Sequence, residues 1–290
     1  MKNSALAIIP NTSTDHPSKS GFTIIELLVV AGLLVVLAAM LLPALASTKE
    51  RAPKTQCVNN LRQLTLSWLL YAADNTGKLA ANGSEGLVAS NGSLPKGASW
   101  ADGILGWSTN LTDNTNTIYL TGGLLGRYNG GNIGIYKCPA DRYPCLMFGS
   151  QVPRVRSISM NGFIEGGAFG GNGRSTWFSG YVAYDKLSDI KYPSPANLWL
   201  FMDEHPDSIN DGWMMVLSSE NPTTWEDIPA GYHNNASGMS FADGHAVTYQ
   251  WRNLGTLQPV RHSQLNGNWP NASGVNQDLQ WILPHSTVPY

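Results

Sequence analysis

Three sets of side chains in this sequence have the types and spacing that chemistry needs. The first is His233, followed after nine residues by Asp243-Gly244-His245. Imidazole and carboxylate donors of this kind, completed by Asp203 or Glu204, suit zinc or manganese. The second is Asp203-Glu204-His205-Pro206-Asp207-Ser208-Ile209-Asn210-Asp211, with four carboxylates in nine residues. Oxygen donors alone suit calcium. The stretch lacks the regular ligand spacing and closing glutamate of an EF-hand, and a solvated acidic loop is an equal alternative. The third set is Cys57, Cys138 and Cys145. Three thiols without a tight Cys-x-x-Cys pair make a poor zinc signature. In an exported chain, one disulfide and one free thiol is the simplest outcome. Turn propensity alone explains Asp243-Gly244, so the preferred assignment gives Asp243 to a turn and has His233 hydrogen-bond a neighbouring loop. No Gly-x-Ser-x-Gly or His-Glu-x-x-His motif occurs. No catalytic residue is assigned, and the chain is not expected to be an enzyme.

The elements that must position these residues are uneven in clarity. Residues 55–73 carry Cys57, Leu61, Leu64, Trp68 and Tyr71 at spacings of three and four, the stripe of an amphipathic helix packed on a core. Asp74-Asn75-Thr76-Gly77 reads as its stop, and Pro53 as a kink or restart before it. Strand patterns cover 157–160, 198–202, 213–217 and 239–251. The last is a hairpin, with Asp243-Gly244 as a two-residue type I′ turn. Residues 78–135 are rich in Gly, Asn, Ser and Thr, with a short element around 118–128 among irregular loops. The tail from Gly255 to Tyr290 has no readable period. Charged residues make up 13% of the chain, about half the usual share. The formal net charge of −2 leaves no basic footprint for nucleic acid. Ten tryptophans raise the idea of stacking on sugar rings, although large aromatics more often build cores.

The amino-terminal end is the most informative segment. After a polar leader, Leu27–Ala46 is a charge-free run of twenty residues, about 30 Å as a helix and enough to cross a bilayer. One interpretation is a secretory signal cleaved after Ala46, since Ala44-Leu45-Ala46 is followed by Ser47. The run exceeds the roughly 7–15 apolar residues usual for such a signal. The other is a retained membrane helix. Counting Lys2 and Lys19 against Lys49, Arg51 and Lys54 weakly favours a cytoplasmic carboxy-terminal side. Glu26 overrules that count, because a carboxylate at the head of such a run is costly and is usually paired and functional.

Gly21-Phe22-Thr23-Ile24-Ile25-Glu26 resembles the prepilin processing motif of type IV pilins and type II secretion pseudopilins. The resemblance implies cutting between Gly21 and Phe22 by a membrane prepilin peptidase, methylation of the new amino terminus at Phe22, and a Glu26 that pairs with that terminus on an adjacent subunit. Pro43 then falls where many such chains carry a helix-kinking proline. His233-x9-Asp243-Gly244 resembles the carboxy-terminal signature of a particular pilin-like family. Cys57–Leu64, Cys138-Pro139-Ala140-Asp141, Met160-Asn161-Gly162 and Phe201–Gly212 also look familial. That resemblance places Cys57 and Cys138 in motifs, implying a disulfide between them; Cys138–Cys145 is the rival. Some pseudopilins bind calcium in a head loop, which would fit Asp203, Glu204 and Asp207.

The expected molecule is α+β: a long amino-terminal helix packed on an antiparallel β-sheet head. Its divisions are a cleaved leader, 1–21; a transmembrane and assembly helix, 22–46; an amphipathic continuation, 47–77; an exported head, 78–254; and a tail, 255–290. The expected role is a structural subunit of a type IV pilus or type II secretion pseudopilus. The chain would sit in the inner membrane with its head in the periplasm, partnered by prepilin peptidase and other subunits and not by nucleic acid. The alternative is an exported soluble protein, cleaved after Ala46, that binds metal or glycan.

Overall fold

Apolar residues from Ile24 onward form one long α-helix, α1 (Ile24–Asp74), in a computed structural model. The structure describes residues 21–83, 99–168, 173–175, 178–217, 224–264, 269 and 276–290, with the side chains of 41–50 left out. The leader up to residue 20 and the side chain of Pro43 therefore lie outside the described residues. The chain divides into two compact units, Met1–Thr48 and Lys49–Tyr290.

In the second unit, α1 runs on through Pro53, so of the kink or restart read there the restart does not occur. The expected stripe is its buried face. Cys57, Leu61, Leu64, Trp68 and Ala72 are fully buried, whereas Leu66 and Leu70 on the other side are exposed. Burying a leucine-sized side chain contributes about 1.5–3 kcal/mol, so the stripe fixes which face meets the head. The helix ends as its sequence suggests. Gly77 at φ +82° lets its N–H return to the Ala72 carbonyl at 2.8 Å, satisfying a carbonyl of the last turn.

The stripe packs against a five-stranded sheet. Its strands are β3 (Ile158–Asn161), β4 (Trp199–Asp203), β5 (Trp213–Met214), β6 (Ala236–Phe241) and β7 (Ala246–Gln250), in the order β5-β3-β4-β6-β7. All neighbours are antiparallel except β3 and β5. Strand β4 lies at the centre and is buried along its whole length. A hydroxyl pair, Thr65 Oγ1 to Ser240 Oγ at 2.8 Å, ties α1 to β6. A separate hairpin pairs β1 (Cys145–Met147) with β2 (Ser150–Val152), neither of which the sequence pattern revealed. Short helices α2 (Ile118–Thr121) and α3 (Gln277–Ile282) complete the named elements.

Two local expectations need correction. The β6–β7 turn is not a two-residue type I′ turn. Phe241 and His245 face each other, three residues lie between, and only Gly244 has positive φ, at +100°. That is a three-residue loop ending in a left-handed glycine. Both central residues of the β1–β2 turn, Phe148 and Gly149, have positive φ, at +49° and +83°, as type I′ requires. The segment read as 213–217 shortens to Trp213–Met214, and its partner β3 runs parallel to it.

Candidate functional site

At the amino-terminal end, Thr23 and Glu26 cap their own helix. The Thr23 N–H and hydroxyl donate to Glu26 Oε2 at 2.8 and 2.9 Å, and the Glu26 N–H donates to Thr23 Oγ1 at 3.2 Å. This is a capping box. Its Thr-x-x-Glu signal was present in the sequence, hidden behind the more conspicuous processing motif. In a single chain the Glu26 carboxylate is thus engaged by Thr23. Beyond it, the apolar side chains from Phe22 to Met40 are exposed on every side of the helix. A helix apolar all round is stable only with other apolar matter about it. Among the described residues, no helix is long and apolar enough to cross a membrane. The charge-free run continues from Leu41 to Ala46, whose side chains are outside the described set.

The head contains a second candidate site, assembled from four distant parts of the chain. Cys57 comes from the buried face of α1, and Cys138 follows the turn of helix at Ile133–Tyr136. Asp203 ends the central strand β4, and His233 lies just before β6. All four are buried, and one ligating atom from each lies within 4.8 Å of the others. Cys57 Sγ is 3.2 Å from Asp203 Oδ2, Cys138 Sγ is 3.2 Å from His233 Nε2, and His233 Nε2 is 3.6 Å from Asp203 Oδ2. Among the described residues this is the one convergent group of three or more His, Cys, Asp or Glu side chains.

Backbone contacts hold the cluster in place. The Gly238 N–H donates to Asp203 Oδ2 at 2.8 Å, the Cys138 N–H donates to Ser157 Oγ at 2.8 Å, and Asn60 Nδ2 reaches the Lys137 carbonyl at 3.1 Å. A Cβ on Gly238 would lie 2.7 Å from Cys57 Sγ and 3.1 Å from Asp203 Oδ2, so only glycine fits at this point of β6. Contact with Cys138, burial and the Asp203 charge together push the Cys57 thiol well above its ordinary range. Burial pulls the His233 imidazole down, but its contacts with Asp203 and Cys138 outweigh this and raise it to about 9.

The structure divides the residues that the sequence grouped. His233 and Asp203 belong to the cluster. Asp243 and His245 form their own exposed pair in the β6–β7 loop, 2.6 Å apart, with the His245 ring stacked on Phe241. The acidic stretch is not a solvated loop: Asp203, Glu204, Asp207 and Asp211 are all buried. Glu204 Oε1 accepts from the Ser208 hydroxyl at 2.7 Å, and burial raises this carboxyl to about 7. Asp207 accepts the N–H groups of Arg261 and Ser263 at 2.6 and 3.2 Å, and Asp211 accepts that of Trp213 at 2.9 Å. His205 accepts the Asp207 N–H at Nδ1 and donates from Nε2 to the Gln258 carbonyl, while burial pulls it down to about 4. These carboxylates chiefly tie loops together.

Cys57, Cys138 and Cys145 are all free thiols. Cys145 stands apart on β1, its Sγ directed to the Val152 carbonyl at 3.4 Å. None of the described tryptophans is exposed; Trp68, Trp100, Trp199, Trp225 and Trp251 are built into the core. The signal that could have found the cluster is the placement of Cys57 on the apolar stripe, where a thiol must face whatever the sheet presents.

Residues 16–42 match the family model described as prokaryotic N-terminal methylation motif. Comparison with curated proteins and with solved structures gives no match. The family match spans Gly21, Phe22 and Glu26 and ends before the head, so His233, Asp243 and Gly244 lie outside it. The motif implies processing by prepilin peptidase and assembly with other pilin-type subunits. The motif points to an exported, processed protein of type IV pilin-like or pseudopilin kind.

Proposed function

We propose that this chain is a structural subunit of a type IV pilus or a type II secretion pseudopilus. Prepilin peptidase hydrolyses the Gly21–Phe22 peptide bond, and the new amino group of Phe22 is methylated. The helix then holds the subunit in the inner membrane, head outward, until it enters a filament. The observation that carries this proposal is the methylation motif at the head of a helix whose apolar side chains are exposed on every side. Lipid covers them before assembly and neighbouring helices cover them afterwards. Hydrolysis creates an α-ammonium three residues before Ile25, and methylation leaves it charged. In the filament this ammonium draws Glu26 of an adjacent chain away from Thr23 and sets the register between helices. An unpaired charge left in so apolar a setting costs several kcal/mol or more, which makes the wrong register expensive. No catalytic residue is needed for this role.

Amino-terminal sequencing of the mature protein tests the proposal. N-methyl-Phe22 is the expected first residue; Ser47 in its place overturns it and indicates an exported soluble protein. Glu26→Ala should leave cleavage largely intact and reduce incorporation into filaments. Normal incorporation would refute the ion-pair role.

A further inference from the structure

We infer that Cys57, Cys138, Asp203 and His233 form a closed structural zinc site that staples α1 to the head. The inference rests on the geometry of the head and stands independently of the filament proposal. The donor set supplies two sulfurs, one imidazole nitrogen and one carboxylate oxygen. Thiolate with imidazole selects zinc over calcium or magnesium, which take oxygen. A tetrahedron with the usual bond lengths, about 2.3 Å to sulfur and about 2.0–2.2 Å to nitrogen or oxygen, has edges of about 3.3–3.8 Å. Of the recorded separations, 3.6 Å lies within this range and the two of 3.2 Å fall just short of it, and no ligating pair exceeds 4.8 Å. Drawing the remaining pairs in by at most about 1 Å completes the polyhedron.

Three further features suit an ion. Four protein donors fill a tetrahedral shell and leave no position for substrate, which is the mark of a structural site rather than a catalytic one. Gly238 leaves the space that a Cβ would take from Cys57 and Asp203, and its N–H orients the carboxylate, a supporting contact typical of metal ligands. The ligands come from α1, the loop after Tyr136, β4 and the approach to β6, so one ion would join elements that are remote in the chain. Zinc binding displaces one proton from each thiol and the proton of a charged His233 imidazole to solvent, and requires no redox partner. The bound Zn²⁺ with two thiolates and one carboxylate carries a net charge of −1, and it would replace the thiol contacts and the His233–Asp203 pair that these four groups otherwise share.

The test uses the full chain purified in detergent without chelators. Elemental analysis should find about one zinc per chain, and cobalt exchanged for zinc should show the intense visible bands of a tetrahedral two-sulfur site. Cys57→Ser and Cys138→Ser should each lower zinc content at least about tenfold, and Gly238→Ala should weaken zinc binding by about 10- to 100-fold. Cys145→Ser should keep its full complement. The wild-type zinc and cobalt measurements do not depend on any variant folding. Wild-type protein that stays metal-free after exposure to zinc overturns the site, whether non-reducing peptide mapping then finds two free thiols or a Cys57–Cys138 disulfide.

Discussion

Asp227 is buried beside another carboxylate, and the consequence is pH dependence. Its Oδ2 accepts the Met215 N–H at 2.8 Å, while Oδ1 lies 3.4 Å from the Ser208 hydroxyl that also reaches Glu204 at 2.7 Å. Burial first, then the Glu204 charge, push Asp227 well above its ordinary 3.8. A carboxyl raised in the folded state contributes stability below its unfolded pKa and loses it as pH rises through the folded one. Asp227→Asn keeps an acceptor for Met215 and removes the buried charge. Its Tm should exceed that of wild type at neutral pH by about 2–4 °C or more, with the gap closing as pH falls toward 4. Thermal unfolding across that range decides it, and a gap independent of pH would show that Asp227 does not titrate in this way. At the same scale, the sequence disclosed only part of the cluster. His233 and Asp203 were nameable as ligands, and the apolar stripe named Cys57 as a core residue. Spacing rules for zinc look for paired thiols nearby in sequence, whereas Cys57 and Cys138 meet only because α1 and the loop after Tyr136 fold onto the same strands. Asp243 and His245, read with His233 as one donor set, pair instead with each other, since two residues in one turn meet without help from the fold.

Helix α1 is the element on which the head is organised, and its stripe was legible because period alone defines it. Cys57, Leu61, Leu64 and Trp68 are each fully buried, and Tyr71, the last member read, is half-buried while Ala72 completes the face. Strand β4 was legible because it is apolar and continuous, and β3 because Ile158 and Met160 alternate with polar residues; β6 was read only from Met239 because Ala236-Ser237-Gly238 carries little apolar signal, and β5 was overextended because Met215, Val216 and Leu217 are apolar core residues outside any strand. The β1–β2 hairpin escaped because it places Phe148 at positive φ, a conformation that no propensity scale favours for phenylalanine. The helix yields a paired test. Leu64→Ala removes a fully buried side chain facing the sheet and should cost about 2–5 kcal/mol. Leu66→Ala, two residues on and 56% exposed, should change stability by no more than about 0.5 kcal/mol. Chemical denaturation of the detergent-solubilised chain measures both, and equal losses at the two positions would contradict the assigned buried face.

Across the whole of the second unit, the carboxy-terminal tail is the closing piece, although its sequence shows no period. It makes its contacts one residue at a time. Asp278, buried in the first turn of α3, accepts the N–H groups of Arg252 and Asn253, and Trp281 stacks on Tyr249 of β7 with ring centres 3.7 Å apart. The Val182 N–H donates to the Val288 carbonyl, and the Tyr290 N–H donates to that of Gly180. Ser286 reaches farthest inward. Its hydroxyl accepts from Trp199 Nε1 at 2.6 Å and donates to the Ile282 carbonyl at 2.8 Å, while its own carbonyl accepts from Asn161 Nδ2 at 3.0 Å. One residue of the tail thus serves polar groups on the central strand β4 and its neighbour β3. Ser286→Ala keeps the carbonyl contact and strands the buried indole N–H of Trp199. An unpaired buried donor costs about 1–3 kcal/mol, so a loss of that size is expected, equivalent to about 2–4 °C of Tm for each kcal/mol in a unit of this size. Trp199→Phe in the same background should recover part of the loss, because it removes the orphaned donor along with its partner. The double-mutant cycle, measured by thermal unfolding, should therefore give a coupling of about 0.5 kcal/mol or more. Additive losses would mean that Ser286 stabilises the tail alone and that the tail does not close the sheet.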